Sequence, residues 1–332
     1  MRAFVLTKYT QPLELRETAE PEVGDRDVLI RVEAVGLNQL DEKIRAGEFA
    51  RILPYDLPVV LGNDVAGTVI RVGGLVESFR PGDRVFARPD QRRMGAFAEH
   101  IAVAESDLAL VPTRITAAEA ASLPLVGLTA WQALVERGRV EPGQKVLIHA
   151  GAGGVGSIAI QLAKHLGATV ATTASAVNAD FVRRLGADVV IDHRTEDFEE
   201  VLSDYDLVLD SLGGENLERS LRVLRPGGLA IGISGPPDPA FAKRAGLNAV
   251  VRLAIAALSR KIRRQASRLG VTYEFLFMRA DGRQLSRLAT LVDDGVITPV
   301  VTKTYPFEQI PAALVDLAAG GGRGKIVATL EE

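Results

Sequence analysis

Along the first hundred residues apolar and polar positions alternate. Val28, Ile30, Val32 and Ala34 fall in one register and Leu29, Arg31 and Glu33 in the other, which is the period-two pattern of a strand. Turn signals recur at Pro21 to Gly24, Gly36, Gly62, Gly73-Gly74 and Pro81-Gly82-Asp83, a spacing that predicts a small barrel or sandwich. The period changes near Thr116, where Thr116-Ala117-Ala118-Glu119 reads as a capping box and an Ala- and Leu-rich stretch runs to Val135. From Lys145 onward strand and helix patterns take turns. Candidate strands lie at 146–150, 168–173, 188–192, 206–210, 228–233 and 271–277, with helix-like stretches such as 158–166 and 180–185 between them, and this order predicts βαβ units and a parallel sheet. The last elements, a helix at 285–292, a strand at 300–302, a helix at 310–319 and a strand at 325–330, are too few to fold alone. They are expected to return to the first domain, so that 1–118 and 279–332 form a β-rich domain and 119–278 an α/β domain.

The first strand of the α/β part ends in Gly151-Ala152-Gly153-Gly154-Val155-Gly156 and runs into an apolar helix. This is GxGxxG in the context that gives it meaning: strand, glycine turn, helix. Gly151 permits the tight turn, Gly153 lets backbone approach a pyrophosphate, and Gly156 lets the helix pack closely on the strand. Sites for NAD carry an acid roughly 20 residues further on; here the second strand ends Thr172-Thr173-Ala174-Ser175. A 2′-phosphate meets no carboxylate there and Ser175 could donate to it, so NADP(H) is the expected cofactor. Ser175 is equally readable as the cap of the next helix.

Composition narrows the chemistry. The 332 residues are 47% hydrophobic and 24% charged and contain no cysteine, which excludes a disulfide framework, Cys-ligated zinc, an iron–sulfur cluster and a cysteine nucleophile. His100, His149, His165 and His193 form no metal-binding spacing, and neither GxSxG nor a Walker loop occurs. No metal is expected. The net charge of −3 offers no global attraction to nucleic acid or anionic membrane. The apolar start is too short for a secretory signal and Asn248 and Arg252 interrupt the best apolar run, so the expected location is cytoplasmic. One segment stands apart. Between Asp238 and Glu274 there is no acid, while Lys243, Arg244, Arg252, Arg260, Lys261, Arg263, Arg264 and Arg268 occur. The stretch 247–269, apolar first and basic later, reads as a solvated helix, as an anionic-membrane contact through 243–268, or, with least support, as a nucleic-acid contact.

The chain resembles the medium-chain dehydrogenase/reductase superfamily nearly throughout. Within it the resemblance is to the zinc-free quinone oxidoreductase and enone reductase branch, the zeta-crystallin-like proteins. It rests on Gly36-Leu-Asn-Gln-Leu-Asp-Glu-Lys43, Pro124-Leu-Val-Gly-Leu-Thr-Ala-Trp131, the glycine turn with Gln161-Leu-Ala-Lys164, Leu185-Gly-Ala-Asp188, Ile191-Asp-His193, Asp210-Ser-Leu-Gly-Gly214 and Gly324-Lys-Ile-Val327. The resemblance implies a GroES-like β-barrel domain beside a Rossmann domain with a doubly wound parallel sheet, an active site in the cleft between them, and a homodimer. Zinc relatives carry Cys at the position of Asn38 and His at that of Asn63, so both ligand positions are lost. Thr129 would sit behind the nicotinamide, and Gly153, Gly154 and Val155 would hold the pyrophosphate. Ser175, Asn178 and His193 would surround the 2′-phosphate, with Asn178 standing where relatives often have Lys. Backbone at Ile233 and Ser234 and the strand holding Phe275 and Phe277 would flank the nicotinamide, and Arg323 to Lys325 would approach the cofactor. On the substrate side Asn38, Asp41 and Lys43 would be the catalytic residues, and Phe49 and Phe275 would bind the substrate. Four of these have a plainer reading: a turn residue for Asn38, a helix cap for Asp41, a solvated lysine for Lys43 and core for Phe49.

The expected function is NADPH-dependent reduction of a quinone or an α,β-unsaturated carbonyl compound, with no zinc. The alternative is an NADPH-binding protein whose role is mainly to bind a membrane surface, RNA or a protein.

Overall fold

The computed structural model describes residues 1–50, 54–320 and 322–330. One unit comprises Met1–Leu128 with Arg279–Glu332, the other Thr129–Met278. Strands β1 (Arg2–Leu6), β2 (Glu14–Glu17) and β3 (Asp27–Gly36) open the chain. The alternation seen at 28–34 is realised in β3: Val28, Ile30, Val32 and Ala34 are buried, while Arg31 and Glu33 reach partly to solvent. Helix α1 (Gln39–Arg45) follows, then β4 (Val59–Val60), β5 (Asp64–Val72), β6 (Arg84–Ala87), β7 (His100–Ala104) and β8 (Leu108–Leu110).

Thr116 then caps α2 (Ala117–Ala121), accepting a hydrogen bond from the Glu119 amide while Glu119 accepts from the Thr116 amide, a device contributing about 1 kcal/mol. Helix α3 (Pro124–Trp131) comes next. In the second unit the strands are β9 (Lys145–Ile148), β10 (Thr169–Ala174), β11 (Val189–Asp192), β12 (Tyr205–Asp210), β13 (Leu224–Gly232) and β14 (Thr272–Phe275). Between them run α4 (Gly154–His165), α5 (Ala179–Arg184), α6 (Phe198–Val201), α7 (Gly214–Ser220), α8 (Pro239–Arg244), α9 (Ala249–Leu258) and α10 (Arg260–Arg268). Helix α11 (Gly282–Asp293), β15 (Val301–Pro306), α12 (Ile310–Ala319) and β16 (Lys325–Thr329) belong again to the first unit.

The first unit holds a largely antiparallel seven-stranded sheet, ordered β15-β16-β3-β5-β6-β8 with β7 also on β3, and a three-stranded sheet β2-β1-β4. β5 pairs along almost all of β3, so β7 at Asp27–Arg31 and β16 at Ala34–Gly36 share its other edge. Lys325 is thereby brought level with the end of β3 and the start of α1. The second unit is a six-stranded, wholly parallel sheet in the order β11-β10-β9-β12-β13-β14. Numbered from its own first strand this is 3-2-1-4-5-6, the doubly wound Rossmann order, and the order reverses beside β9, where such sheets bind ligands at the carboxyl ends of their strands. Val146, Leu147 and Ile148 of β9 are fully buried, as a strand covered by helices on both faces requires. Among the described residues no helix is long and apolar enough to cross a membrane.

Candidate functional site

At the carboxyl end of β9 the chain turns sharply through Ala150, held at a φ of 52°. Thr172 and Thr173 of β10 secure the turn. The Ala150 amide donates to Thr173 Oγ1 at 3.1 Å and the Gly151 amide to the Thr173 carbonyl at 3.0 Å, while Thr172 Oγ1 donates to the Ile148 carbonyl at 2.6 Å. A Cβ on Gly151 would fall 2.1 Å from Thr172 Oγ1, and one on Gly156 would fall 2.4 Å from the Ala150 carbonyl oxygen. The protein's own packing therefore demands those two glycines. Gly153 is different, because a Cβ there would meet only the Ala150 oxygen, at 3.3 Å. The space in front of it is open, and Gly153 is the N-cap of the twelve-residue α4. The helix dipole and the first-turn amides of Gly154 and Val155 make this place receptive to an anion.

Ser175, Asn178 and His193 come together at the ends of β10 and β11. Ser175 has the backbone of an N-cap, but its hydroxyl makes no capping bond and instead accepts from Asn178 Nδ2 at 3.2 Å. The His193 amide donates to the Ala174 carbonyl at 3.3 Å and its ring is exposed. Arg194, not singled out in the sequence, follows His193; it is exposed and without an ion-pair partner among the described residues. A cation next to His193, two residues past the end of β11, was the available signal. Two acids stand at this end of β11: Asp192, whose carboxylate accepts from the Arg194 amide at 3.1 Å, and Glu196, which accepts from the Asp192 amide at 2.8 Å.

At the carboxyl end of β12, Asp210 is fully buried. Its Oδ1 accepts from the Gly213 amide at 2.6 Å and its Oδ2 has no hydrogen-bond partner among the described residues. Burial pushes this carboxyl up to about 6, against the pull of the Gly213 and Leu212 amides. Ile233 donates its amide to the Asp210 carbonyl at 2.9 Å, and Ser234 follows, exposed. Phe275 lies in the core, its ring 5.2 Å from that of Phe241, and Phe277 is partly buried 6.0 Å from the same ring. Thr129 is buried in α3. His149 is a packing residue: buried between Thr173 Oγ1 (3.1 Å) and Ser220 Oγ (2.8 Å), it is pushed down to about 4, first by burial and then by Arg219.

The first unit contains a polar cluster shut off from solvent. Asn38, just before α1, donates from Nδ2 to Asp64 Oδ2 at 2.9 Å, and Asn63 donates to Asp41 Oδ1 at 2.7 Å. Asp41 Oδ2 accepts from the Asn38 amide at 2.8 Å, so it does cap α1. Lys325 brings its ammonium to the Leu37 carbonyl at 2.7 Å, to Asn38 Oδ1, and to Asp64 at 3.2 Å. Asp64 also accepts from the Leu125 amide at 2.8 Å at the start of α3. The Lys325 ammonium thus pairs directly with Asp64 and acts on Asp41 through its charge alone, in a region without water-facing surface. Burial pushes Asp41 up to about 7, against the Asn63 and Asn38 hydrogen bonds and the Lys325 charge, and raises Asp64 against Lys325.

Lys43, on α1, is half-buried, and its ammonium has no hydrogen-bond or ion-pair partner among the described residues. Phe49 packs partly buried against the core of the same unit. Arg323 is half-buried just ahead of β16. Another hollow of this unit, of about 630 Å³, is lined by Arg26, Phe79, Glu105 and Arg283 among others and shares no residue with the polar cluster.

Comparison with known proteins agrees with this architecture. Residues 24–113 match the model of the alcohol dehydrogenase GroES-like domain, and residues 185–327 that of the zinc-binding dehydrogenase family. The chain is 33% identical to the mitochondrial NAD(P)H oxidoreductase RTN4IP1 of Danio rerio, over 100% of this chain and 92% of that one. It is 34% identical to a chloroplastic NADPH-dependent alkenal/one oxidoreductase of Arabidopsis thaliana, over 98% of this chain and 79% of that one. The solved quinone oxidoreductase of Coxiella burnetii superposes with a TM-score of 0.87 at 30% identity, covering 100% of this chain and 99% of its own. With a GroES-like β-rich unit, a Rossmann unit and relatives of these kinds along its whole length, the chain belongs to the medium-chain dehydrogenase/reductase superfamily, in its quinone oxidoreductase and enone reductase branch.

Proposed function

We propose that the protein reduces quinones or α,β-unsaturated carbonyl compounds at the expense of NADPH, without zinc. The observation that carries the reading is the open space at Gly153 in a turn whose other two glycines are locked by packing. A glycine that the protein itself does not need, at a helix N-terminus beside the sheet's switch point, suits a pyrophosphate. Gly153, Gly154 and Val155 would hold it. Ser175, Asn178, His193 and Arg194 would receive the 2′-phosphate, in a corner with no carboxylate on Ser175's strand to repel it. Relatives named as NADPH-dependent alkenal/one and quinone oxidoreductases support the same substrate class.

When bound, NADPH supplies the hydride equivalent; the chain's own task is to hold the substrate and steady the negative charge that develops on its oxygen. Lys43 suits that task, being a half-buried cation whose ammonium has no partner among the described residues. Asn38 and Asp41 are buried and bonded to each other, the Asn38 amide donating to the Asp41 carboxylate, so they act as positioning residues that fix the start of α1 and, one turn on, Lys43. Ile233 and Ser234 would border the nicotinamide. The enolate or hydroquinone anion can take its proton from solvent. A zinc ion does not fit the donor set: the Leu37 carbonyl, the Asn38 carboxamide and the Asp64 carboxylate already hold the ammonium of Lys325, which a dication would have to displace.

The test is turnover and titration together. NADPH should be consumed with small enones or quinones, alcohols with NADP should give negligible reaction, and NADPH should bind more tightly than NADH. Robust alcohol oxidation without enone or quinone turnover would overturn the reading.

A further inference from the structure

Helix α9 is built inside out. Val250, Leu253, Ala254, Ala257 and Leu258 recur at the i, i+3, i+4, i+7, i+8 spacing with which a helix normally faces its core, yet all five are exposed. Val250 is 79%, Leu253 74% and Leu258 61% accessible, while Ile255 alone in this helix is buried. The helix is nevertheless well formed, with Asn248 Oδ1 accepting from the Val251 amide at 3.0 Å. At Ser259 it gives way to α10, which is anchored: Ile262 and Ala266 join the core of the second unit, Lys261 pairs with Glu218, and Gln265 donates to the Glu218 carbonyl at 3.0 Å. Arg263 turns back to the Ala256 carbonyl at 3.0 Å and to Ser259 Oγ at 3.2 Å, locking the joint between the two helices. Arg260, Arg264 and Arg268 recur at i, i+4, i+8, exposed and with no ion-pair partner among the described residues.

An apolar stripe followed by a basic one, in a segment with eight cations and no acid between Asp238 and Glu274, is complementary to a surface that offers hydrocarbon beneath a layer of negative charge. We propose that α9 and α10 form a peripheral anchor that seats the protein on an anionic lipid bilayer. The apolar stripe enters the boundary between headgroups and acyl chains, and the arginines engage lipid phosphates. A second copy fits less well, since a twofold pairing would gather two sets of these cations. RNA would satisfy the arginines and leave the stripe in water. The chain's net charge of −3 confines the attraction to this patch. The inference goes beyond the proposed reaction and stands without it.

The full-length protein is sedimented with vesicles of equimolar phosphatidylcholine and phosphatidylglycerol, and with phosphatidylcholine vesicles. Two variants change only exposed side chains: Leu253→Ser with Leu258→Ser, and Arg260→Glu with Arg264→Glu and Arg268→Glu. Wild type should bind the anionic vesicles in low salt, more weakly in high salt, and the neutral vesicles poorly. Partitioning should fall about tenfold or more in the serine variant and about a hundredfold in the charge-reversal variant, with melting temperatures unchanged. Failure of the wild type to sediment with anionic vesicles in low salt would overturn the proposal, as would vesicle binding that neither variant alters. If the serine variant instead lowers the mass measured by light scattering and leaves sedimentation unchanged, the stripe is a self-interface and the proposal fails. RNA binding that only the charge reversal abolishes, with no vesicle binding, would equally refute it.

Discussion

Asp41, Asp64 and Asp210 are buried carboxyls that the fold holds above their ordinary range, and the Lys43 ammonium has no partner among the described residues. If Lys43 steadies charge on the substrate oxygen, Lys43→Ala should lower kcat for an enone by about a hundredfold. The Kd for NADPH should stay within about twofold, because the fingerprint turn is untouched. Stopped-flow turnover with a fluorescence titration checks both.

Asp210 gives a pH prediction whose sign is fixed by burial. Its folded value of about 6 exceeds that of an unfolded Asp, about 4. The neutral acid is therefore favoured by folding, and its contribution is complete below about pH 4 and lost as pH rises through about 6. Asp210→Asn should match wild type in urea unfolding near pH 4 and exceed it by about 1 to 2 kcal/mol at pH 8. Equal stability at pH 8 would mean that the carboxylate is hydrated. At this scale the sequence was only partly legible. Asn38, Asp41 and Lys43 stand close together in the chain, but the Lys325 ammonium reaches Asn38 through strand pairing between β16 and β3, which no local spacing records. Asp210 was visible as a motif, while its unpartnered oxygen was not.

Among the elements, the glycine turn was the most legible, since strand, GxGxxG and helix are contiguous and each glycine has a distinct geometric reason. Those reasons can be separated. Gly156→Ala sets a methyl 2.4 Å from the Ala150 oxygen and should cost about 1 to 3 kcal/mol of stability. Gly153→Ala should leave stability within about 0.5 kcal/mol and weaken NADPH about tenfold. Thermal unfolding of the apoprotein and NADPH titration distinguish the two; a large stability loss in Gly153→Ala would show that the open space is not a ligand's. The basic segment was legible as composition and not as shape. Its periodicity does not reveal the break at Ser259, where a buried hydroxyl bonds the Ile255 carbonyl at 2.9 Å and ends α9, nor which side of α9 is buried.

For the whole molecule, the alternation of strand and helix patterns after Lys145 was sufficient for a parallel sheet, because each βαβ unit is local in sequence. The pairing of strands in the β-rich unit was less accessible: β3 meets β5, β7 and β16, and only the fold decides which edge each takes. Function stands further still from composition. Lack of cysteine and of histidine spacing removes whole classes of chemistry, but the direction of the reaction rests on the cofactor turn, on a donor set that suits an ammonium better than zinc, and on the relatives. The central claim is that a hydride passes from NADPH to the electrophilic carbon of a conjugated substrate. Its most direct test is single-turnover reduction of a simple enone with NADPH deuterated at the transferring position of the nicotinamide, followed by mass and magnetic resonance analysis of the product. Conjugate hydride transfer places deuterium on the β-carbon of a saturated ketone; deuterium on the carbonyl carbon of an alcohol, or none in the product, would contradict it.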